Sequence, residues 1–179
     1  YPLEGDPVDQ QGRPMYTERP IHGGIYQARE DVMAVVHNHS PTVIPFSVTN
    51  TPLRPMFHLG AIIGPELPVW DIRDNFQDTN MLVANMDQGR DLAACLGDRR
   101  VSLMRGHGCV IAGQTIREVV MASVYLQVNA GLLLQSLQLG EVKYLSPGEI
   151  EMMSDSQMRL TGQERAWEYW ANQAGRGRD

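Results

Sequence analysis

The chain has 179 residues, 42% of them hydrophobic and 20% charged, which suits one soluble domain with a sizeable core. Its formal net charge of -6 and the lack of any lysine or arginine cluster argue against a nucleic-acid partner. No uninterrupted apolar run reaches the roughly 18 residues of a membrane span, and no signal-peptide pattern opens the chain, so we expect no membrane partner.

The first part of the chain alternates short predicted elements with loops. Residues 1–15 are rich in proline, glycine and aspartate and predict a loop. Apolar residues one turn apart predict a helix from residue 17 to residue 28, and a β-branched run predicts a strand over 32–37. Prolines between residues 42 and 57 preclude one long helix there and favour a short helix followed by a loop.

The middle of the chain predicts three strands and one helix. A short strand is expected over 68–72, and Asp87 is the expected N-cap of a helix that ends at Gly97. Two buried strands are expected over 101–104 and 110–112.

A long helix is predicted after the last of these strands. It begins with a capping box at Thr115 and ends at Gly140. An apolar residue recurs at every fourth position along it: Val120, Val124, Val128 and Leu132. Further capping boxes begin at Ser146 and Thr161 and predict two more helices, and residues 175–179 are predicted to be disordered.

Two histidines lie at the end of the first predicted strand. His37 and His39 are two positions apart in the sequence Val-Val-His-Asn-His-Ser-Pro. Because side chains alternate faces along a strand, both rings should point the same way while Asn38 points away. Such a pair can share a metal ion, although most isolated pairs of this kind are surface or packing residues.

A third histidine has a comparable setting. His107 follows the predicted strand 101–104 and has Gly106 and Gly108 on either side. The glycines indicate a close approach of the backbone that a larger residue could not make. Three neutral imidazoles from two strands can hold one face of a divalent metal ion and leave the other face open, as in catalytic sites. The alternative is three unrelated histidines, two of them buried and hydrogen-bonded.

From about residue 17 to residue 140, these motifs resemble the class II aldolase/adducin family. The resemblance rests on the segment 18–29, the H-x-H run that follows it, the Arg-Gly-His-Gly sequence at 105–108 and the long capped helix. It leads us to expect an α/β fold, a three-layer α/β/α sandwich around a central, mostly antiparallel sheet. It also implies a homo-oligomer, a tetramer or larger, with the metal near a subunit interface.

In that family the H-x-H histidines and the later histidine bind a catalytic divalent metal, which implies this role for His37, His39 and His107. Glu18 holds the place of a family glutamate that acts as acid/base or as a further metal ligand. The cofactor implied is one divalent metal ion per chain, Mn²⁺ or Zn²⁺ first, with Fe²⁺ or Co²⁺ as alternatives, because nitrogen-rich open sites accept all four.

Two departures from the family pattern bear on the chemistry. Family members carry a further segment ahead of the glutamate, including a loop that binds substrate phosphate in the sugar-phosphate aldolases, so we expect residues 1–179 to form a single domain that lacks this N-terminal portion. In those aldolases a tyrosine directly after a histidine in the loop beyond H-x-H helps to protonate the substrate. Here His58 is followed by Leu59, which cannot transfer a proton.

The segments 68–74 and 78–83 look instead like the branch of metal-dependent decarboxylases that act on hydroxylated aromatic dicarboxylates. Loss of CO₂ requires an electron sink, which the metal would supply, and an acid that protonates the ring carbon. Glu18 and His58 are the predicted acids. Glu18 could instead simply favour a helix N-terminus, and His58 could be a packing residue.

A second substrate carboxylate would call for a guanidinium group. Arg54 and Arg73, in loops beyond the H-x-H strand, are the predicted substrate-binding residues. Arg73 lies between Asp71 and Asp74 and could equally serve only in ion pairs.

The sequence therefore predicts a metal-dependent decarboxylase that removes CO₂ from a hydroxylated aromatic or heteroaromatic carboxylate. Three alternatives remain: a class II aldolase acting on a hydroxy-keto acid or sugar phosphate, a nonheme-iron oxygenase, and a non-catalytic adducin-like scaffold. The scaffold should lose its metal ligands, whereas this chain keeps all three histidines. Cys95 and Cys109 lie in apolar sequence surroundings, which predicts reduced thiols and a cytoplasmic protein.

Overall fold

The structure is a computed structural model that describes residues 2–157 and 160–175, without the side chains of 155–162. Its elements in chain order are α1 (Arg19–Ala28), β1 (Ala34–Asn38), α2 (Ile44–Ser47), a 3-10 helix (His58–Ile63), β2 (Val69–Trp70), α3 (Arg73–Phe76), α4 (Met86–Leu96), β3 (Val101–Met104), β4 (Gly108–Gly113), α5 (Ile116–Leu139), α6 (Pro147–Gln157) and α7 (Leu160–Gly175). The predicted helices and strands are present, with ends that differ by a few residues.

The prediction that Asp87 is the N-cap of α4 was wrong. Asn85, not Asp87, occupies this position, and its side chain accepts a hydrogen bond from the backbone N–H of Gln88 at 3.0 Å. Asn85 has the extended backbone of an N-cap, whereas Asp87 lies within the first turn, where its carboxylate favours the helix N-terminus electrostatically.

Two of the predicted capping boxes differ in detail. At α6 the box is reciprocal: Ser146 Oγ accepts from the N–H of Glu149, and the carboxylate of Glu149 accepts from the N–H of Ser146. At α5 the side chain of Thr115 accepts from the N–H of Glu118 as expected, but the Glu118 carboxylate accepts from the N–H of Gln114 instead. Disorder was predicted over 175–179, but Gly175 is the last residue of α7. Residues 176–179 and the side chain of Thr161 lie outside the described residues.

The sheet has four strands in the order β1-β4-β3-β2. β4 pairs antiparallel with both β1 and β3, while β2 pairs parallel with β3, so the sheet is mixed and mostly antiparallel. This confirms the expected sheet. It also brings the end of β1, which carries the H-x-H motif, next to the start of β4, which follows His107.

Each face of the sheet has its own core, so the molecule has three layers. Cys109 and Ile111 of β4 point to a core under α5, the α5 core, while Val110 and Ala112 point to a core under α1 and α4, the α1/α4 core. The alternation follows from the twofold period of a strand. On β1 the same rule places His37 on the face of Val35, which packs against the α1/α4 core.

Helices α1 and α4 touch backbone to backbone. A Cβ added to Gly24 would lie 2.4 Å from the backbone of Gly89, and one added to Gly89 would lie 2.2 Å from the Pro20 carbonyl oxygen. Real side chains do not fit at such distances, so these glycines allow the close approach. The contact fixes the first turn of α1, which follows Glu18 directly.

Helix α5 covers the other face. By length and composition it could span a membrane, but its buried residues pack against the sheet, as in the core helix of a globular protein. The stripe that reaches the core comprises Val119, Ala122, Leu126, Ala130 and Leu133. The stripe noted in the sequence lies on another side, and its members Val128 and Leu132 are 41% and 37% exposed.

Candidate metal centre

The first two histidines are presented by the end of β1. His37 is opposite Val110 in the β1/β4 register, and its Nδ1 lies 3.0 Å from the carbonyl oxygen of Cys109. A carbonyl can only accept, so in the neutral ring Nδ1 carries the proton and Nε2 keeps its lone pair. The lone pair of Nε2 is the one that a metal would take, and the carbonyl contact orients the ring for it.

The third histidine is carried by the turn between β3 and β4. Gly106 has a φ of +65°, which favours glycine, and a Cβ on Gly108 would lie 2.1 Å from the carbonyl oxygen of Asn38. The predicted close approach of the backbone is therefore present at Gly108, while Gly106 provides the positive φ of the turn. It brings the His107 ring to 3.0 Å from His39, measured between their Nε2 atoms.

Glu18 lies directly before α1 and is 5% exposed. Its Oε1 accepts a hydrogen bond from the backbone N–H of Val83 at 3.2 Å. Its two carboxylate oxygens lie 3.5 Å from Nε2 of His37 and 3.5 Å from Nε2 of His107. The acidic residue is thus placed between two of the histidines rather than beside the cluster.

Glu18, His37, His39 and His107 form what we call the four-residue cluster, in which one ligand atom from each residue lies within 4.8 Å of the others. The Nε2 atoms of His37 and His39 are 3.0 Å apart. Two nitrogens that each lie about 2.1 Å from a shared ion, at this separation, subtend about 90° at it. The spacing and the set of three imidazoles and one carboxylate therefore suit a divalent metal ion.

The electrostatics of the cluster favour neutral imidazoles. Burial lowers the pKa of His37, and the neighbouring His107 and His39 add to the effect, while the Cys109 carbonyl and Glu18 oppose it. Burial also lowers the pKa of His107. Both rings are therefore unprotonated near neutral pH, which is the state that binds a metal.

The cluster is open on one side. His39 is exposed, whereas Glu18 is buried and the other two histidines are half-buried. A small molecule can therefore approach from the His39 side, as a catalytic site requires. His22, one turn beyond Glu18 on α1, is not part of the cluster; its ring lies 6.3 Å from that of Tyr16, and burial lowers its pKa.

Three predicted site residues lie outside the four-residue cluster. His58 is the exposed first residue of the 3-10 helix, with its ring edge-on to Phe57 at 5.8 Å. The guanidinium of Arg54 stacks over the ring of Tyr144 at 4.6 Å and lines a cleft of about 620 Å³ with Glu66 and four prolines. Arg73 is ion-paired with Asp71 at 3.2 Å. Their substrate roles stay predictions.

Two groups that shape the centre were not found from the sequence. These are the N–H of Val83, which binds Glu18, and the carbonyl of Cys109, which orients His37. Both are backbone groups far along the chain from their partners, so no residue type marked them.

Comparisons with known proteins identify the family of the chain. Residues 1–134 match the family described as the Class II Aldolase and Adducin N-terminal domain. The decarboxylase tropJ of Talaromyces stipitatus is 29% identical over 97% of this chain and 73% of its own length. The 3,4-dihydroxyphthalate decarboxylase of Arthrobacter keyseri is 28% identical over 87% of this chain and 61% of its own length.

A solved structure shares the fold. The aldolase II superfamily protein from Pseudomonas syringae superposes with a TM-score of 0.76 at 19% identity, covering 98% of this chain and 70% of that one. This likeness confirms the expected class II aldolase-like α/β architecture.

Proposed function

The chain belongs to the class II aldolase and adducin N-terminal domain family, and we propose that within this family it is a metal-dependent decarboxylase. The substrate proposed is a small hydroxylated aromatic or heteroaromatic carboxylate, with CO₂ as one product. The observation that carries the proposal is the four-residue cluster, whose histidines and glutamate are gathered from three separate parts of the chain around one point.

In the proposed reaction, the carbon–carbon bond between the ring and a carboxylate breaks. Its electron pair stays with the ring, CO₂ leaves, and a proton adds to the ring carbon. A bound divalent ion would supply positive charge for the ring oxygen and the neighbouring carboxylate and so act as the electron sink. The three imidazoles are neutral ligands, so they leave the charge of such an ion undiminished.

Glu18 is the proposed proton donor. It is buried in the cluster, and the Val83 N–H fixes one of its oxygens. A carboxyl group held at this point can deliver a proton at the reacting centre. From the same position, the Glu18 carboxylate can also serve as a fourth metal ligand. His58 is a further proposed acid, from the exposed start of the 3-10 helix; Arg54 and Arg73 are the proposed carboxylate-binding residues.

Decarboxylation is favoured over aldol cleavage by two observations. The relatives tropJ and 3,4-dihydroxyphthalate decarboxylase are both named as decarboxylases. Leu59 stands where a proton-transferring tyrosine would be needed for the aldolase scheme. We further propose that the enzyme is cytoplasmic, because both cysteines are free thiols. We also propose that it is a homo-oligomer, a tetramer or larger.

The test is an anaerobic assay of CO₂ release on a panel of ortho-hydroxy aromatic mono- and dicarboxylates, with Mn²⁺ or Zn²⁺ supplied. We expect release without oxygen, and a fall of roughly 10²-fold or more in Glu18→Gln, because the proton donor is lost. Glu149→Gln, in an exposed capping box of α6, is the control and should retain activity.

Other products would contradict the proposal. Release of CO₂ that requires oxygen consumption would identify the oxygenase alternative. Release of an aldehyde from a hydroxy-keto acid or sugar phosphate, without decarboxylation, would identify the aldolase.

A further inference from the structure

We propose that Ser47 and Asp71 act as positioning residues that hold His107 in place for the metal, by fixing the turn formed by residues 105–107. This inference rests on the proposed metal site. It goes beyond it by assigning a role to two residues that are not ligands and that come from elements on either side of the turn.

The first anchor is the hydroxyl of Ser47, at the end of α2. It accepts a hydrogen bond from the backbone N–H of Gly106 at 2.9 Å and donates one to the carbonyl of Ile44 at 2.7 Å. Ser47 is only 4% exposed. A buried hydroxyl that both donates and accepts a hydrogen bond has one preferred orientation. It therefore fixes the backbone N–H of Gly106, the residue before His107.

The second anchor is the carboxylate of Asp71, directly after β2. One of its oxygens is ion-paired with Nε of Arg105, and the other accepts from the backbone N–H of Arg73 at 3.0 Å. The backbone N–H of Arg105 also donates to the carbonyl of Trp70 at 2.9 Å. Arg105 is thus tied to the end of β2 through both its backbone and its side chain, two residues before His107.

The turn has little room to move between these anchors. A Cβ on Gly106 would lie 3.1 Å from the end of the Met81 side chain and 3.6 Å from Val48. The N–H of His107 donates to the carbonyl of Met104 at 3.0 Å, which closes the turn. Contacts on three sides therefore fix the backbone position from which the His107 side chain extends.

His107 depends on such anchors more than the other two histidines do. His37 is part of a strand whose ladder fixes it, and His39 follows two residues later. His107 lies on a turn, and sites on turns are held less exactly unless neighbouring groups support them. Loss of groups that orient a metal-binding histidine commonly weakens metal affinity by about 10–100-fold.

The experiment measures Co²⁺ binding to the purified, metal-free full chain by titration, together with the visible absorption spectrum of bound Co²⁺, which reports ligand geometry. The test variants are Ser47→Ala and Asp71→Asn. Thr49→Ala is the matched control for the first, because its hydroxyl donates to the carbonyl of Pro45 near the same helix. Asp91→Asn is the control for the second, because its carboxylate binds the indole of neighbouring Trp70.

We expect both test variants to bind Co²⁺ about tenfold or more weakly, with an altered spectrum, while both controls keep the wild-type affinity and spectrum. Thermal melting of the metal-free proteins shows whether a variant is folded. Folded test variants with wild-type affinity and spectrum, or controls that lose as much affinity as the test variants, would overturn the positioning role. Absence of Co²⁺ binding in the wild type would instead overturn the proposed metal site.

Discussion

At the scale of single residues, the state of each imidazole decides what the centre can bind. The Cys109 carbonyl fixes the His37 tautomer with the proton on Nδ1, and burial favours the neutral forms of His37 and His107. A neutral ring with its free nitrogen turned inward is ready to bind a metal without first losing a proton. Because this burial lowers the pKa of both rings, it should also affect how the free energy of unfolding depends on pH.

We predict that the metal-free protein loses stability as the pH falls below about 6.5, in part through His37. Its folded-state pKa is lowered, so in this range the unfolded chain binds more protons than the folded protein. The contribution is therefore fully present above the unfolded pKa and is lost as the pH falls through the folded pKa.

Urea unfolding at a series of pH values measures this effect. The free energy of unfolding should depend less steeply on pH in His37→Gln than in the wild type. Gln135→Ala, which alters an exposed side chain without a titratable group, should keep the wild-type slope. Equal slopes in wild type and His37→Gln would show that burial does not perturb this ring.

Much of the cluster was predictable at this scale. The twofold period of a strand places His37 and His39 on one side, and the glycines around His107 indicated the tight turn. The partners of these residues were not predictable. Ser47, Val83 and the Cys109 carbonyl reach the site only because the chain folds back on itself, and their local sequences carry no mark of it.

At the scale of elements, the crossing of α1 and α4 sets the position of Glu18. The two helices meet through Gly24 and Gly89, so their axes are closer than larger side chains would permit. Glu18 precedes α1 directly, and a change in this crossing would move it relative to the histidines on β1.

We predict that Gly89→Ala lowers the free energy of unfolding by about 2 kcal/mol, because the new methyl group would meet the backbone of Pro20 and the helices would have to separate. Gly148→Ala is the matched control. Its Cβ would meet nothing within 4 Å, so its stability should be unchanged or raised by up to about 1 kcal/mol. Urea unfolding of both variants tests this, and a Gly89→Ala protein as stable as the wild type would contradict the close crossing.

Local sequence signals predicted where helices and strands occur better than they predicted which face of each element is buried. Capping residues, glycine stops and apolar periods predicted the strands and the longer helices, but not the 3-10 helix, where a loop was expected, or α3. The period along α5 did not show which side faces the core, because the helix carries apolar residues on more than one side. The prediction of Asp87 as the N-cap of α4 was wrong. Asn85, two residues earlier, is also a favourable N-cap residue type, and residue type alone does not show where the helix begins.

At the scale of the whole molecule, α5 presents an apolar stripe that the described part of the chain leaves partly exposed. Val128 and Leu132 lie one turn apart and are 41% and 37% exposed, beside a core stripe that is fully covered. An exposed apolar stripe on a long helix is typical of a surface that contacts a partner. We propose that this partner is a second copy of the chain, in keeping with the proposed homo-oligomer.

We predict that Val128→Glu combined with Leu132→Glu reduces the mass of the assembly in solution, because two carboxylates would be buried at the interface. Light scattering coupled to size-exclusion chromatography measures this mass. Met33→Glu combined with Met152→Glu is the control, since both methionines are exposed elsewhere. A monomeric wild type, or an unchanged mass in the α5 variant, would contradict an interface on this stripe.

In the proposed enzyme, Glu18, His37, His39 and His107 hold a catalytic divalent metal ion. The most direct test is the metal content, by mass spectrometry, of protein purified without chelator, compared between the wild type and the variants His37→Ala and His58→Gln. We predict about one divalent ion per chain in the wild type and in His58→Gln, and its loss in His37→Ala. A wild type without metal, or a His37→Ala protein that keeps it, would contradict the proposed metal site.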